Sequence, residues 1–406
     1  MRSILEAPAP IERAAAQIAP GRAPLLAFVA DGETERILRE CLDDLGFPDT
    51  PIARGGIAKA IDVLSAQRSP ENLIVDISGV LMPVLEVHNL AEVCEPGVTV
   101  IAIGDSNEVG LYRDLLHSGV SDYIFKPLTT PLLARALNAK THASEPGGIQ
   151  RKLGTTVAFV GTRGGVGTTT LAVNLAWYLA ERQSRRVALV DLDLYNGDCA
   201  LALNVKVTPG LREALVNPGR IDSVLLERVM APVGERLFVL SAEEPLRDTI
   251  DFTGEAVDTL VTALRHQFHY VVLDVPRNSA APYMKALDLA DFRVVVADQT
   301  LRSARDAVRL RDALAAGDGS YRNILVINRQ GEGGRRAITL DEMQSILTLR
   351  PKTVIPFQPA WFAPAADNSA TVAAARRGKF GDAIAGLALE LSGRPPQRRR
   401  WWGSGR

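Results

Sequence analysis

Short, wholly apolar runs recur along the chain, separated by stretches in which apolar residues return every three or four positions. In the first third, LLAFVA, NLIVDI, VTVIAI and DYIF are apolar throughout rather than alternating. That is the pattern of strands buried on both faces of a parallel sheet. A weaker run lies near residues 50–53. Helical periodicity follows these runs, as in ETERILRECLDDLGF, where Ile37, Leu38, Cys41 and Leu45 recur at helical spacing. The count is about five strand–helix units in about 115 residues. A second series comprises TTVAFVG, RVALVDLD, RLFVLSA, YVVLDV, FRVVVAD and NILVINR, with helical stretches such as TTTLAVNLAWYLAERQ and SARDAVRLRDALAAG. The expected fold is α/β, with two doubly wound parallel-sheet domains in sequence.

Polar, Pro- and Gly-bearing segments mark the boundaries. Residues 1–23 are Pro/Ala-rich and expected to be disordered. The domains are expected at 24–143 and 153–394, joined by a linker at 144–152, SEPGGIQRK. Residues 395–406 form a basic tail containing Trp401 and Trp402.

Composition narrows the function classes. The chain has 406 residues, 47% apolar and 23% charged, an ordinary globular balance in a length that needs more than one core. A net charge of -1 supplies no whole-chain attraction to nucleic acid, which speaks against nucleic acid as a partner. Cys41, Cys94 and Cys199 have no metal-ligand spacing and read as reduced thiols. The start lacks the apolar core of a signal peptide, and no run reaches the roughly 18 apolar residues of a spanning helix. A cytoplasmic protein is expected.

The candidate chemistry begins where TTVAFVG runs into TRGGVGTTT and an apolar-periodic helix. Strand, glycine-rich turn, helix is the context of a phosphate site. Gly164, Gly165 and Gly167 let successive N–H groups turn toward a phosphate, and the helix N-terminus adds its positive end. Thr169 places a hydroxyl where it can ligate Mg²⁺. The stretch resembles the deviant Walker A motif, xKGGxGK[ST], of the MinD/ParA ATPases. By that resemblance Arg163, Gly164, Gly165, Val166, Gly167, Thr168, Thr169 and Thr170 bind ATP. Arg163 stands for the signature lysine that reaches the partner subunit's nucleotide, and its rigid fork can hold a phosphate across a dimer interface. Thr168 stands for the second lysine, so a positive charge is missing from the transition state and slow or absent hydrolysis is expected.

Other segments follow the family's order. VALVDLDLYNGD resembles switch I, which makes Asp193 the residue orienting the attacking water, with Asp191 nearby. YVVLDVPR resembles Walker B, so Asp274, with Thr169, serves Mg²⁺, in its case through the water shell. VINR places Asn328 where the family reads adenine, with Arg329 beside it. IPFQPAWFAPAADNSA resembles the later base-pocket loop.

In the first domain Asp31, Asp76 and Lys126 lie at strand ends that converge at one rim of such a sheet. An acid for Mg²⁺, an aspartate acceptor and a lysine match a response-regulator receiver, a flavodoxin-like fold. Ala30 replaces a second acid and Gly104 replaces the hydroxyl that reports phosphorylation. A degenerate, constitutive interaction module is expected rather than a working phospho-switch.

A degenerate receiver joined to a lysine-less MinD/ParA-like domain resembles the CpaE/TadZ group of pilus assembly proteins over residues 24–394. The resemblance implies an ATP-bound homodimer that places a tight-adherence (Flp-type) pilus machine at a cell pole. It also implies contacts with the pilus secretion ATPase and other assembly proteins. An active MinD/ParA-type ATPase switch and a phosphorylation-controlled signalling ATPase are the alternatives. Arg398, Arg399 and Arg400 beside the two tryptophans are expected to form a solvated end or a protein contact rather than a contact with an anionic membrane surface, which their chemistry would also suit.

Overall fold

The computed structural model describes residues 22–138, 153–315, 322–334, 337–348, 350–358 and 378–392. The expected linker, the basic tail, residues 1–21 and the base-pocket loop beyond Gln358 lie outside the described residues. The chain divides into two compact units, Met1–Leu153 and Gly154–Arg406.

In the first unit β1 (Leu25–Val29), β2 (Ile52–Arg54), β3 (Asn72–Asp76), β4 (Thr99–Gly104) and β5 (Asp122–Phe125) form one sheet in the order β2-β1-β3-β4-β5. Every pairing is parallel. This is the flavodoxin-like order, whose functional rim lies at the carboxyl ends of the strands. Leu26 and Phe28 pack into one core layer, and Leu25, Ala27 and Val29 into the other. Burial on both faces is why these strands read as unbroken apolar runs. The weak run near residues 50–53 is β2, an edge strand that is only half-buried.

Among the described residues the second unit carries eight strands: β6 (Thr155–Gly161), β7 (Val187–Asp191), β8 (Ala231–Pro232), β9 (Leu237–Leu240), β10 (Tyr270–Val275), β11 (Phe292–Ala297), β12 (Arg322–Gln330) and β13 (Thr353–Pro356). Their order is β13-β12-β11-β6-β10-β7-β9-β8. This is the expected doubly wound parallel sheet, mixed at one edge. β8 runs antiparallel to β9. The sequence hides β8 because it is a two-residue edge strand ending in Pro232, a residue that cannot donate to a further neighbour. Ala158 and Val160 face one core layer, Val157 and Phe159 the other. Being the first strand and central, β6 delivers its following loop between the ends of β10 and β11. Among the described residues no helix is long and apolar enough to cross a membrane.

Candidate nucleotide site and receiver-like site

The helix Thr168–Glu181 starts directly after the turn that leaves β6, with Gly167 as its N-cap. Gly165 (φ 73) and Gly167 (φ 96) occupy the left-handed region, where a Cβ would be strained. Gly164 shows no positive φ. The Thr168 hydroxyl is turned back over Gly161, where a side chain would collide with it. Thr162 is buried and ties the turn to β11, donating to Val296 O at 3.1 Å and meeting Ser303 Oγ at 2.5 Å.

Both flanking cations bond within the chain. Arg163 turns its guanidinium onto Asp298 in the same chain, with Nε donating at 2.9 Å and Nη2 closing the ion pair. Asp298 is buried, a setting that by itself raises a carboxyl pKa, yet the Arg163 bonds hold it below the ordinary range. A buried carboxylate next to the loop requires such a partner. Asn328, expected at adenine, donates its amide to Val166 O at 2.9 Å. Arg329 donates to Gly165 O at 2.6 Å and pairs with Glu332 at 2.7 Å. Thr170 lies in the first turn of the helix, its carbonyl accepting from Asn174. Asp298 was not legible as a loop partner. It ends the apolar run FRVVVAD, and only the strand order sets that end beside β6.

Residues 154–314 match the model of the AAA domain family. The septum site-determining protein MinD of Synechocystis is 27% identical over 196 residues, 48% of this chain and 70% of that protein. The second unit is similar to MinD in sequence and to a ParA family ATPase in fold. A ParA family ATPase of Chlorobium tepidum shares the fold at a TM-score of 0.53 and 20% identity, covering 59% of this chain and 100% of that one. MinD of Pyrococcus horikoshii, solved with Mg-ADP, gives 0.50 and 21%, with 59% and 96% covered. A pilus assembly protein CpaE of Caulobacter crescentus is 30% identical, covering 30% of this chain and 95% of that one, at a TM-score of 0.27. Among the curated relatives, matches span between 54% and 72% of their own lengths.

Beside its loop the second unit gathers buried acids. Asp274 and Asp191 are register neighbours on β10 and β7, so their side chains share a face. Thr169 Oγ1 donates to Asp274 Oδ2 at 2.6 Å. Asp191 accepts from Cys199 N at 3.0 Å and Asp193 N at 3.1 Å. Burial first, and then repulsion from Asp191, pushes Asp274 up to about 7; burial raises Asp191 as well. The buried Cys199 thiol lies 3.7 Å from Asp274 Oδ2, and burial holds it well above its ordinary pKa. As expected, Cys199 is a buried thiol, but the sequence did not show that it lines this acid pocket. Two buried carboxylates facing a hydroxyl make a hard, oxygen-rich setting short of positive charge, which suits Mg²⁺. Asp193 is half-buried and accepts from the backbone N–H of Asn196 at 3.0 Å, so the loop after β7 holds its carboxylate.

In the first unit the three expected residues converge. Lys126 Nζ lies 2.9 Å from Asp76 Oδ2 and 3.3 Å from Asp31 Oδ2. Burial depresses the Lys126 ammonium, but its bonds to the two carboxylates outweigh that and raise its pKa. Asp31 caps the helix Gly32–Asp44 through Thr34 N at 2.7 Å, which lowers its pKa. Asp76 is buried, and its carboxylate also accepts from Ala30 N and Ser78 N.

Proposed function

We propose that the protein binds ATP with Mg²⁺ at Arg163–Thr170 and works as a nucleotide-dependent homodimer with weak or no hydrolysis. Its role is to position and assemble a tight-adherence (Flp-type) pilus machine on the cytoplasmic side of a cell pole. The observation that carries the reading is Thr168 in a glycine loop that resembles the MinD/ParA form and keeps a cation, Arg163, at the signature position. Backbone donors, the helix N-terminus and the Thr169–Asp274 pair remain for holding phosphate and Mg²⁺. The lysine charge that would stabilise a phosphoryl transition state is absent, so the domain keeps a ligand without turning it over. Such a domain suits a placement or scaffolding role, and the curated MinD relatives are named as determining a site, the septum.

The receiver-like unit supports the same reading. Its acid–lysine cluster is retained while Gly104 lacks the reporting hydroxyl, which suits a constitutive contact for the pilus secretion ATPase or another assembly protein. The test is nucleotide binding and oligomeric state measured with ATP, ADP and neither. ATP-dependent dimers with negligible phosphate release support the proposal. A monomer under all three conditions rejects it.

A further inference from the structure

Three consecutive carbonyls of the phosphate loop are each held by a side chain. Arg163 Nη1 donates to Gly164 O at 2.9 Å, Arg329 Nη1 to Gly165 O at 2.6 Å, and Asn328 Nδ2 to Val166 O at 2.9 Å. Among the described residues the cis peptide is Lys126–Pro127, so these three are trans. A trans peptide points its N–H opposite to its carbonyl. Fixing the carbonyls therefore fixes the directions of the Gly165, Val166 and Gly167 N–H groups, the donors a phosphate would use.

The anchors on β12 are themselves restrained. Asn328 is buried, and its side-chain oxygen accepts from Arg329 N at 2.9 Å, which orients the amide with its nitrogen on Val166 O. A Cβ at Gly167 would strike that nitrogen, so glycine here also makes room for the anchor. Arg329 adopts φ 57, a conformation few non-glycine residues take. Its guanidinium is shared between Gly165 O and Glu332, 5.4 Å from the Phe357 ring centre. We infer that Asn328 and Arg329 are positioning residues of the phosphate loop. This rests on the nucleotide reading above and alters what the two residues do within it.

A base reader and a loop anchor leave different signatures. Loss of an anchor weakens every nucleotide alike, because all share the phosphates. Loss of a base reader changes the preference between bases. The experiment compares the full chain with Asn328→Ala, Arg329→Ala and Arg329→Lys. It measures Kd for Mg·ATP, Mg·ADP and Mg·GTP, and amide exchange across residues 163–170 without nucleotide. Each alanine variant should raise all three Kd values together by about tenfold. Exchange should quicken in the loop alone, and Arg329→Lys, which can still donate to Gly165 O, should recover most of both effects. A shift of about tenfold in ATP-over-GTP preference with unchanged loop exchange would overturn the inference. So would faster exchange throughout the domain, or no change in either readout. If the parent chain binds no nucleotide, the functional proposal fails, and loop exchange alone then decides the positioning role.

Discussion

The hydroxyl of Tyr123 occupies the space that a side chain on Gly104 would need. The two residues sit on neighbouring strands, β5 and β4, and the hydroxyl donates to Ser106 O at 2.8 Å. Tyr123 is buried, so the ring closes the rim where a Ser or Thr would otherwise stand.

With that space filled, phosphorylation at Asp76 has no hydroxyl to draw inward. Asp76→Asn is therefore expected to leave the oligomeric state unchanged in size-exclusion chromatography. It should nonetheless cost the first unit about 1–3 kcal/mol in a denaturant titration, because an amide nitrogen would then face the Lys126 or backbone donors. Stoichiometric labelling by a small phosphodonor with a change of oligomeric state would contradict this account.

Thr168 governs turnover. Purified protein is expected to release phosphate far more slowly than about 1 per second, a rate competent enzymes exceed. Thr168→Lys should tighten ATP binding, since its ammonium could reach the phosphates from the first helical turn. Calorimetric titration and a phosphate-release assay check both statements.

Asp274 should set a pH dependence in the nucleotide- and Mg²⁺-free protein. Its carboxyl titrates at about 7 in the fold against 3.8 for an ordinary aspartate. The folded state thus binds the proton more tightly than the unfolded state, and this group's contribution to stability falls as pH rises between those values. Asp274→Asn should raise Tm at pH 8 and have much less effect at pH 4, while weakening Mg·ATP binding. Melting curves of both proteins across that range test the sign.

Arg293 has a fully buried side chain, yet it is held by Leu287 O at 2.7 Å, Leu314 O at 3.0 Å and Asp288 Oδ1 at 3.0 Å. It ties the carboxyl ends of two helices, Ala281–Asp288 and Leu301–Leu314, to β11. Arg293→Ala should destabilise the second unit by about 3–5 kcal/mol, seen as a lower urea midpoint with an unchanged slope.

The C-terminal tail, outside the described residues, gives the last test. If it contacts membranes, a chain ending at Gly393 should lose the co-sedimentation with anionic vesicles that the intact chain shows at low salt. Equal binding by both forms, or by neither, removes the tail as an anchor.

What the sequence determined by itself is local. A strand that is apolar on both faces, followed by a Gly-rich turn and a largely apolar, buried helix, specifies the phosphate loop because strand burial, left-handed glycines and the helix N-terminus all arise within residues 155–181. Asp274 and Asp76 were legible for the same reason, as acids inside or ending buried strands. Which side chains meet the loop was decided by strand order. β11 and β12 lie to one side of β6, which brings Asp298 to Arg163 and Asn328 to Val166 across more than a hundred residues of chain. Register did the same for Asp274 and Asp191, the loop after β7 brings Cys199 onto both, and adjacency of β4 and β5 pairs Gly104 with Tyr123. Periodicity reports which face of a strand is buried, but a strand's lateral neighbours follow from the packing of the whole sheet, and those neighbours determine the partner and electrostatic setting of each site residue.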